Sequence, residues 1–189
     1  HNTVLVDGHS QRHLGRPLEL LWHRHLGDAQ TVVAADCEGA LYEGVKQVRA
    51  VAVTPEYVLD VYAVSSAQER RYDWLFHADR GAGELQIEAD FLPADLGDTP
   101  GQQWLSNMRS ARVDGAWSAE WEVGDVRARL TLAGEAGTVV FVCDYPGAEH
   151  PDPGVPARPM LLARRRAKAT TFVAAYQASR ASLEPLALS

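Results

Sequence analysis

The spacing of the apolar residues constrains this chain more than any other feature of the sequence. Between residues 70 and 78, Tyr72, Trp74 and Phe76 alternate with Asp73 and Leu75, which sends the two sets to opposite faces of a strand. Such short runs recur roughly ten to twelve times between turn signals, and none keeps a 3.6-residue period beyond two helical turns. The pattern predicts an all-β fold, a two-sheet antiparallel β-sandwich, in a single domain over residues 1–189.

The individual strands follow from the same alternation. The predicted strands cover residues 3–7, 31–35, 48–54, 57–64, 70–78, 84–91, 117–123, 126–132, 138–143, 160–163 and 170–176. We expect burial of Trp74, Phe76, Leu130, Val140, Phe141 and Phe172. The acid Asp60 interrupts a nearly continuous apolar strand and therefore needs a partner, because burying an unpaired carboxylate is costly.

Charge and hydropathy exclude two classes of partner. The net charge is −7, and no basic stripe is available to neutralise phosphates, which argues against nucleic-acid binding. No apolar run reaches the roughly 20 residues that a membrane-spanning helix requires. One basic run, Arg164 to Arg166 with Lys168, is interpreted as a solvated strand edge, with an anion site as the alternative.

The cysteines and three early histidines give no metal signature. Cys37 and Cys143 are too few for a CxxC metal site, and we interpret them as two separate buried thiols, with a disulfide as the alternative. His13, His23 and His25 lie in a short passage between predicted strands. On a loop or an edge such residues are usually solvated, although a metal role is the competing interpretation.

The first eight residues form the sharpest motif of the chain. His1-Asn2-Thr3 precedes a β-branched strand that ends at Asp7-Gly8. This stretch resembles a signature of the heparinase II/III-like polysaccharide lyases, in whose β-sandwich region a histidine followed by Asn-Thr opens a strand. The later segments 44–49, 58–62, 72–77 and 165–173 are similar to the order of elements in the same region.

The resemblance implies that this chain is the carboxyl-terminal sandwich portion of a larger parent. It begins at His1 rather than at Met, so we expect a processed or cut product. In that family an upstream helical toroid precedes the sandwich, and the enzymes cleave acidic, uronate-containing polysaccharides by β-elimination. The Tyr and His that act as acid and base lie mostly on the toroid, so the isolated chain is expected to be inactive. The parent is expected to be secreted or periplasmic.

The resemblance also assigns a metal ligand. It implies that His1 binds a divalent ion, expected to be zinc, in the intact parent, together with ligands upstream. His9 and Asp7 are neighbours in sequence, but a regular strand would hold Asp7 about 20 Å from His1. His77 stands at a strand end and is interpreted as a hydrogen-bonded core or edge histidine.

A second class of function stays open from the residues alone. A non-catalytic carbohydrate-binding or structural β-sandwich module would use exposed aromatic rings to stack on sugars, and Trp104, Trp117 and Trp121 are its candidates. The alternation of Trp121 with Ala119 and Val123 favours a core position for that residue instead. Neither the polymer nor any substrate-binding residue follows from the sequence, although the acidic balance disfavours heparin.

Overall fold

Strands account for most of the regular structure. The computed structural model describes residues 2–14, 18–36, 39–78, 81–97, 99–146, 157–183 and 186–188. The strands within them are β1 (Val4–Val6), β2 (Glu19–Leu26), β3 (Ala29–Asp36), β4 (Val45–Val53), β5 (Val58–His77), β6 (Gln86–Ile87), β7 (Leu92–Pro93), β8 (Ser106–Val113), β9 (Trp117–Val123), β10 (Val126–Leu132), β11 (Thr138–Tyr145) and β12 (Arg158–Ser179), with one 3₁₀ turn at Gln102–Trp104. No helix in the described residues is long and apolar enough to cross a membrane. The predicted all-β class is confirmed.

Two long strands organise the molecule. β5 has 20 residues and β12 has 22, and they pair antiparallel in two separate stretches. Residues 70–77 pair with 160–167, and residues 58–65 pair with 169–176. Between the two stretches, residues 66–69 of β5 lie opposite Lys168 alone, so the ladder is interrupted on both strands at the same place. Such a bulge bends a strand, and it lets β5 and β12 contribute to two layers.

The two layers are therefore joined through shared strands. The first sheet runs β6-β9-β10-β12-β5-β4-β3-β2, and the second runs β1-β5-β12-β11-β8-β7. Their inner faces meet where Phe76, from the second sheet, contacts Trp121 and Tyr176 of the first at ring separations of 5.3 and 5.4 Å. The hydrogen bonding is continuous, but the packing is that of a two-sheet antiparallel sandwich.

The core confirms the predicted burial. All six predicted core residues are less than 9% exposed. Phe141 differs from the other five because it lies on the outer face of the second sheet, the face turned away from the first sheet. There it joins a separate apolar cluster with Leu75, Leu96 and Leu162.

The sequence divided each long strand into two. Residues 57–64 and 70–78 were predicted as separate strands, as were 160–163 and 170–176, but each pair is one continuous strand. Residues 65–69 lay outside both predicted strands. They are accommodated by the bulge, where the Ser66 hydroxyl lies 2.7 Å from the Tyr72 hydroxyl and donates to the Gln68 carbonyl at 2.6 Å.

Four further strands differ from the prediction. β2, β7 and β8 were not predicted, and β2 is exposed along its whole length at the edge of the first sheet. The predicted strand 84–91 is reduced to Gln86–Ile87, because the Ala89 backbone N–H turns back to the Ile87 carbonyl at 3.0 Å. Leu85, Ile87 and Phe91 of this segment still pack on the core.

The solvated-edge interpretation of the basic run is wrong. β12 lies inside both sheets, and Arg165 is 3% exposed. Its guanidinium donates to Thr138 Oγ1, Glu135 Oε2 and the Ala133 carbonyl, each at 3.0 Å, and lies over the Phe172 ring. Arg166 and Lys168 are the exposed members of the run.

Candidate functional site at the amino-terminal strand

β1 is a short buried strand that closes one edge of the second sheet. Val4 pairs with Trp74 and Val6 with Tyr72, and both valines point into the core. The strand ends at Asp7, whose φ of 52° is a left-handed conformation that Asp tolerates better than most residues. The predicted Asp-Gly stop is therefore confirmed.

The Asp7 carboxylate fixes this turn. It accepts a hydrogen bond from Arg70 Nη1 at 2.8 Å and from the Arg71 backbone N–H at 3.0 Å. Partial burial on its own raises the pKa of Asp7, but these hydrogen bonds and the two positive charges outweigh it and lower the pKa below its usual value. The carboxylate is thus committed to the turn rather than free to bind a metal.

Asn2 connects the start of β1 to both sheets. Its side-chain oxygen accepts the His77 backbone N–H at 2.9 Å and lies 3.1 Å from His77 Nδ1. Its backbone carbonyl accepts Arg49 Nη1 at 2.9 Å. One residue therefore joins the end of β5 in the second sheet to β4 in the first.

The contact with Asn2 defines the state of the His77 ring. Because the Asn2 oxygen already accepts a backbone N–H, it is the acceptor for Nδ1 as well, which places the ring proton on Nδ1 and the lone pair on Nε2. Burial is the largest cause that lowers the pKa of His77 to about 4, and nearby positive charges, Arg158 among them, lower it further. The ring is neutral at pH 7 and packs edge-on against Tyr145 at 4.9 Å.

Arg49 and Asp60 form the charged centre of this region. Asp60 is 2% exposed and accepts Arg49 Nε at 2.9 Å and Nη2 at 2.7 Å. Burial lowers the pKa of Arg49, but the hydrogen bonds and charge of Asp60 more than offset this and the pKa is raised. The predicted need of Asp60 for a partner is confirmed.

A buried tyrosine lies beneath this pair. The Arg49 guanidinium lies 5.3 Å from the centre of the Tyr62 ring, and the Tyr62 hydroxyl donates to Gln47 Oε1 at 2.6 Å. Burial raises the pKa of Tyr62, so the phenol stays protonated at neutral pH. This network can hold the first strand in place, but it offers no ready general base.

The candidate metal ligands that lie within the described residues do not converge on one site. His1 lies outside the described residues, and His9, His13, His23 and His25 are exposed. His23 and His25 contact one another on β2, with ring centres 4.9 Å apart. Across residues 2–14 and the other described segments, no three His, Cys, Asp or Glu side chains converge as metal ligands would.

The thiol and the aromatic candidates have clear positions. Cys143 is a free buried thiol whose pKa is raised to about 12 by burial and by the neighbouring Asp144, whereas Cys37 lies outside the described residues. Trp117 and Trp121 are 8% and 5% exposed, which rules out Trp117 as a sugar-stacking surface and confirms the core position favoured for Trp121. Trp104 is 48% exposed.

Sequence reasoning missed the role of Asn2 and the pairing of Arg49 with Asp60. The only local signal was a polar residue standing directly before a buried strand. The partners lie 47 residues apart for Asn2 and Arg49, and 75 apart for Asn2 and His77, so only the folded chain shows them.

Comparison with known proteins gives a likeness of fold. No protein-family model matches the chain, and no curated protein matches it in sequence. Heparan sulfate lyase HepC from Pedobacter heparinus superposes on 98% of the chain with a TM-score of 0.61 and 9% identity. A heparinase III superposes on 96% with a TM-score of 0.59 and 16% identity, and a TPR-domain containing protein from Parabacteroides distasonis on 89% with a TM-score of 0.51 and 10% identity. The chain spans only 25%, 24% and 35% of these three proteins, respectively.

Proposed function

We propose that this chain is the carboxyl-terminal β-sandwich region of a polysaccharide lyase whose parent cleaves a uronate-containing polysaccharide by β-elimination. The observation that carries the proposal is the fold likeness to a heparan sulfate lyase along 98% of the chain, which accounts for 25% of that enzyme. In β-elimination a base removes the proton α to the uronate carboxyl group, and an acid assists the leaving glycosidic oxygen. We assign both groups to an upstream helical toroid.

The side chains of this region favour a structural rather than a catalytic role. Burial raises the pKa of Tyr42, Tyr62 and Tyr176, so none of them is a ready base at neutral pH. Instead, Asn2 and Arg49 hold the first strand against both sheets. A rigid wall that positions the polymer beside the upstream groups is the role that fits this arrangement.

The metal proposal concerns His1. Zinc requires three or four protein ligands, and the described residues supply no such set. We assign to His1 one ligand position in the intact parent and place the others upstream. Asn2, held by Arg49 and His77, would fix where the strand begins.

We also propose that the parent is secreted or periplasmic, because its proposed substrate is an acidic polysaccharide.

The test is a lyase assay with two proteins. The intact parent and the isolated chain are incubated separately with heparan sulfate, heparin and alginate, and the absorbance of the unsaturated uronate product is followed. We expect product from the parent with at least one polymer and none from the chain. Failure of the parent on all uronate polymers would overturn the assignment, and product from the chain alone would overturn the division of roles.

The alternative is a carbohydrate-binding or structural module without catalysis. The exposure of Trp104 is the observation that favours it, since an exposed indole is a surface on which a sugar ring stacks. Retained binding of neutral and acidic oligosaccharides, lost in Trp104→Ala, together with an inactive parent would select this function. Trp121→Ala is not an equivalent control because that residue belongs to the core.

A further inference from the structure

A group of arginines stands on the outer face of the second sheet around one buried acid. Asp73 is fully buried and accepts Arg164 Nε at 2.8 Å and Arg164 Nη2 at 3.0 Å. Arg71 Nε lies 3.5 Å from the same carboxylate. Two guanidinium groups therefore share one carboxylate, and the three groups together carry a net positive charge.

Two more arginines extend this group on the same face. Arg166 lies directly opposite Arg71 in the pairing of β12 with β5, two residues along from Arg164, so all three side chains point outward. Arg112 lies on the same face, because it pairs with Val139 of β11, which in turn pairs with Arg164 of β12. Arg71 and Arg166 are opposite residues, which lie about 5 Å apart in such a ladder, and Arg164 and Arg166 are alternate residues, about 6.7 Å apart. Arg112 lies two strands, or about 10 Å, from Arg164. We call Arg71, Arg112, Arg164 and Arg166 the arginine cluster.

The fold holds Arg71 in position by close contact. Its Nη2 donates to Thr99 Oγ1 at 3.2 Å, and a Cβ added to Gly8 would stand 2.1 Å from that nitrogen. Only glycine therefore permits this placement, and Gly8 also has a φ of 80° that favours glycine. The Arg71 guanidinium is therefore ordered before any ligand binds, which lowers the entropic cost of binding.

The local charge is opposite to that of the molecule. Three carboxylates lie near the four arginines of the cluster: Asp73, Asp114 at 3.5 Å from Arg112, and Asp7 near Arg71. Asp7 is itself paired with a further arginine, Arg70, at 2.8 Å. This excess of positive charge stands on a chain whose net charge is −7. Arg166 is exposed, whereas Arg71 and Arg164 are each 15% exposed, so the cluster combines a fixed base with an accessible rim.

We propose that the arginine cluster binds the acid groups of an anionic polysaccharide, through carboxylate or sulfate oxygens. The planar arginine fork matches both groups with paired hydrogen bonds. The overall negative charge disfavours long nucleic acids, which need a basic stripe rather than a patch of this size. The identity of the polymer rests on the proposed function, whereas the anion-binding chemistry follows from the cluster itself.

The test measures binding to the 189-residue chain by calorimetry at two salt concentrations. The probes are a heparan sulfate octasaccharide, an alginate octasaccharide, a neutral glucose oligomer and a short single-stranded oligonucleotide. The variants are Arg166→Gln and Arg71→Lys, and Arg127→Gln is the matched control because it removes an equal charge from an exposed site on β10. Thermal unfolding of each variant confirms that the fold is intact.

We expect the acidic octasaccharides to bind and the neutral oligomer not to bind. Arg166→Gln should weaken binding about tenfold, as expected for the loss of one charge-assisted hydrogen bond, and Arg127→Gln should not. Weakening for both acidic octasaccharides identifies the carboxylate as the recognised group, and weakening for heparan sulfate alone identifies the sulfate. Unchanged affinity in Arg166→Gln and Arg71→Lys, or equal dependence on Arg166 for the oligonucleotide, overturns the proposal.

The two proposals fail separately. An inactive parent together with arginine-dependent binding would remove the lyase function and leave the binding site. A parent that cleaves uronate polymers, with binding indifferent to Arg166 and Arg71, would remove the binding site and leave the lyase function.

Discussion

Arg49 on β4 and Asp60 on β5 are diagonal neighbours joined by two hydrogen bonds of 2.9 and 2.7 Å, and the same arginine donates to the carbonyl of Asn2 at 2.9 Å. The pair therefore does two things at once. It neutralises an acid that is 2% exposed, and it ties the start of β1 to the first sheet. Loss of the acid would affect both.

Replacing Asp60 by Asn tests this relationship. The change leaves the Arg49 charge without its partner, while the Arg49 side chain is only 33% exposed. We expect the free energy of unfolding to fall by about 3 kcal/mol, the range seen when one partner of a buried ion pair is removed. Urea denaturation followed by circular dichroism measures it.

The matched control for that change is Asp125→Asn. Asp125 pairs with Arg180 at 2.9 Å, but both side chains are at least 75% exposed, so the loss should stay below about 1 kcal/mol. Equal effects of the two substitutions would contradict the role assigned to Asp60.

Arg165 provides a second test, at the bend of β12. Its guanidinium donates to Glu135, Thr138 and the carbonyls of Ala133 and Thr171. Arg165→Met leaves several of these acceptors unpaired, and we expect a loss of about 3 kcal/mol in the free energy of unfolding. The neighbouring Lys168→Gln, at an exposed position, should change it by less than about 0.5 kcal/mol. Comparable losses in the two variants would show that the bend does not depend on Arg165.

The local pattern predicts much of this fold because it depends on period-two spacing. Tyr72, Trp74 and Phe76 point to the core, and Leu75 points to the outer cluster, as their alternation indicates. The division of the long strands failed because a polar run such as 66–69 is common in turns. No Gly or Pro occurs at residues 65–70 or 164–169, and that absence was the available signal of continuity.

The partners of the polar residues were beyond local reasoning. That Asp60 needs a cation follows from its apolar surroundings, but the choice of Arg49 depends on the register of β4 with β5. Arg165 was wrongly assigned to a solvated edge because three of its acceptors, in Thr138, Glu135 and Ala133, lie 27 to 32 residues away along the chain. Burial of a charge becomes visible only when such distant groups are placed together.

The metal assigned to His1 gives a third prediction. Metal analysis of the intact parent should find about one zinc per chain. Substitution of His1 by Ala should abolish zinc binding, because a site of three or four ligands loses most of its affinity when one ligand is removed. The isolated chain, dialysed against a mild chelator, should retain none. Stoichiometric zinc in the isolated chain would show that His9 or His77 completes a site within these residues.

The last prediction concerns pH and His77. Its pKa is lowered from 6.5 to about 4 in the folded protein, chiefly by burial. Above pH 6.5 the ring is neutral in both the folded and unfolded states, so this group leaves stability at its full value. As the pH falls from 6.5 towards 4, the unfolded chain binds a proton that the folded chain does not, and the free energy of unfolding decreases.

The Asp7 carboxyl overlaps only the lower end of this window, because its pKa is lowered below 3.8 and most of its contribution to stability is lost under more acidic conditions. His77→Gln should therefore flatten the decline between pH 6.5 and 4, at some cost in stability at pH 7 from altered packing against Tyr145. His25→Gln is the control, since its ring is exposed on β2 and meets water in both states. Denaturation series at several pH values measure the slopes. An unchanged slope in His77→Gln would show that the folded ring takes up its proton as readily as the unfolded one, and that burial does not hold the ring neutral below pH 6.5.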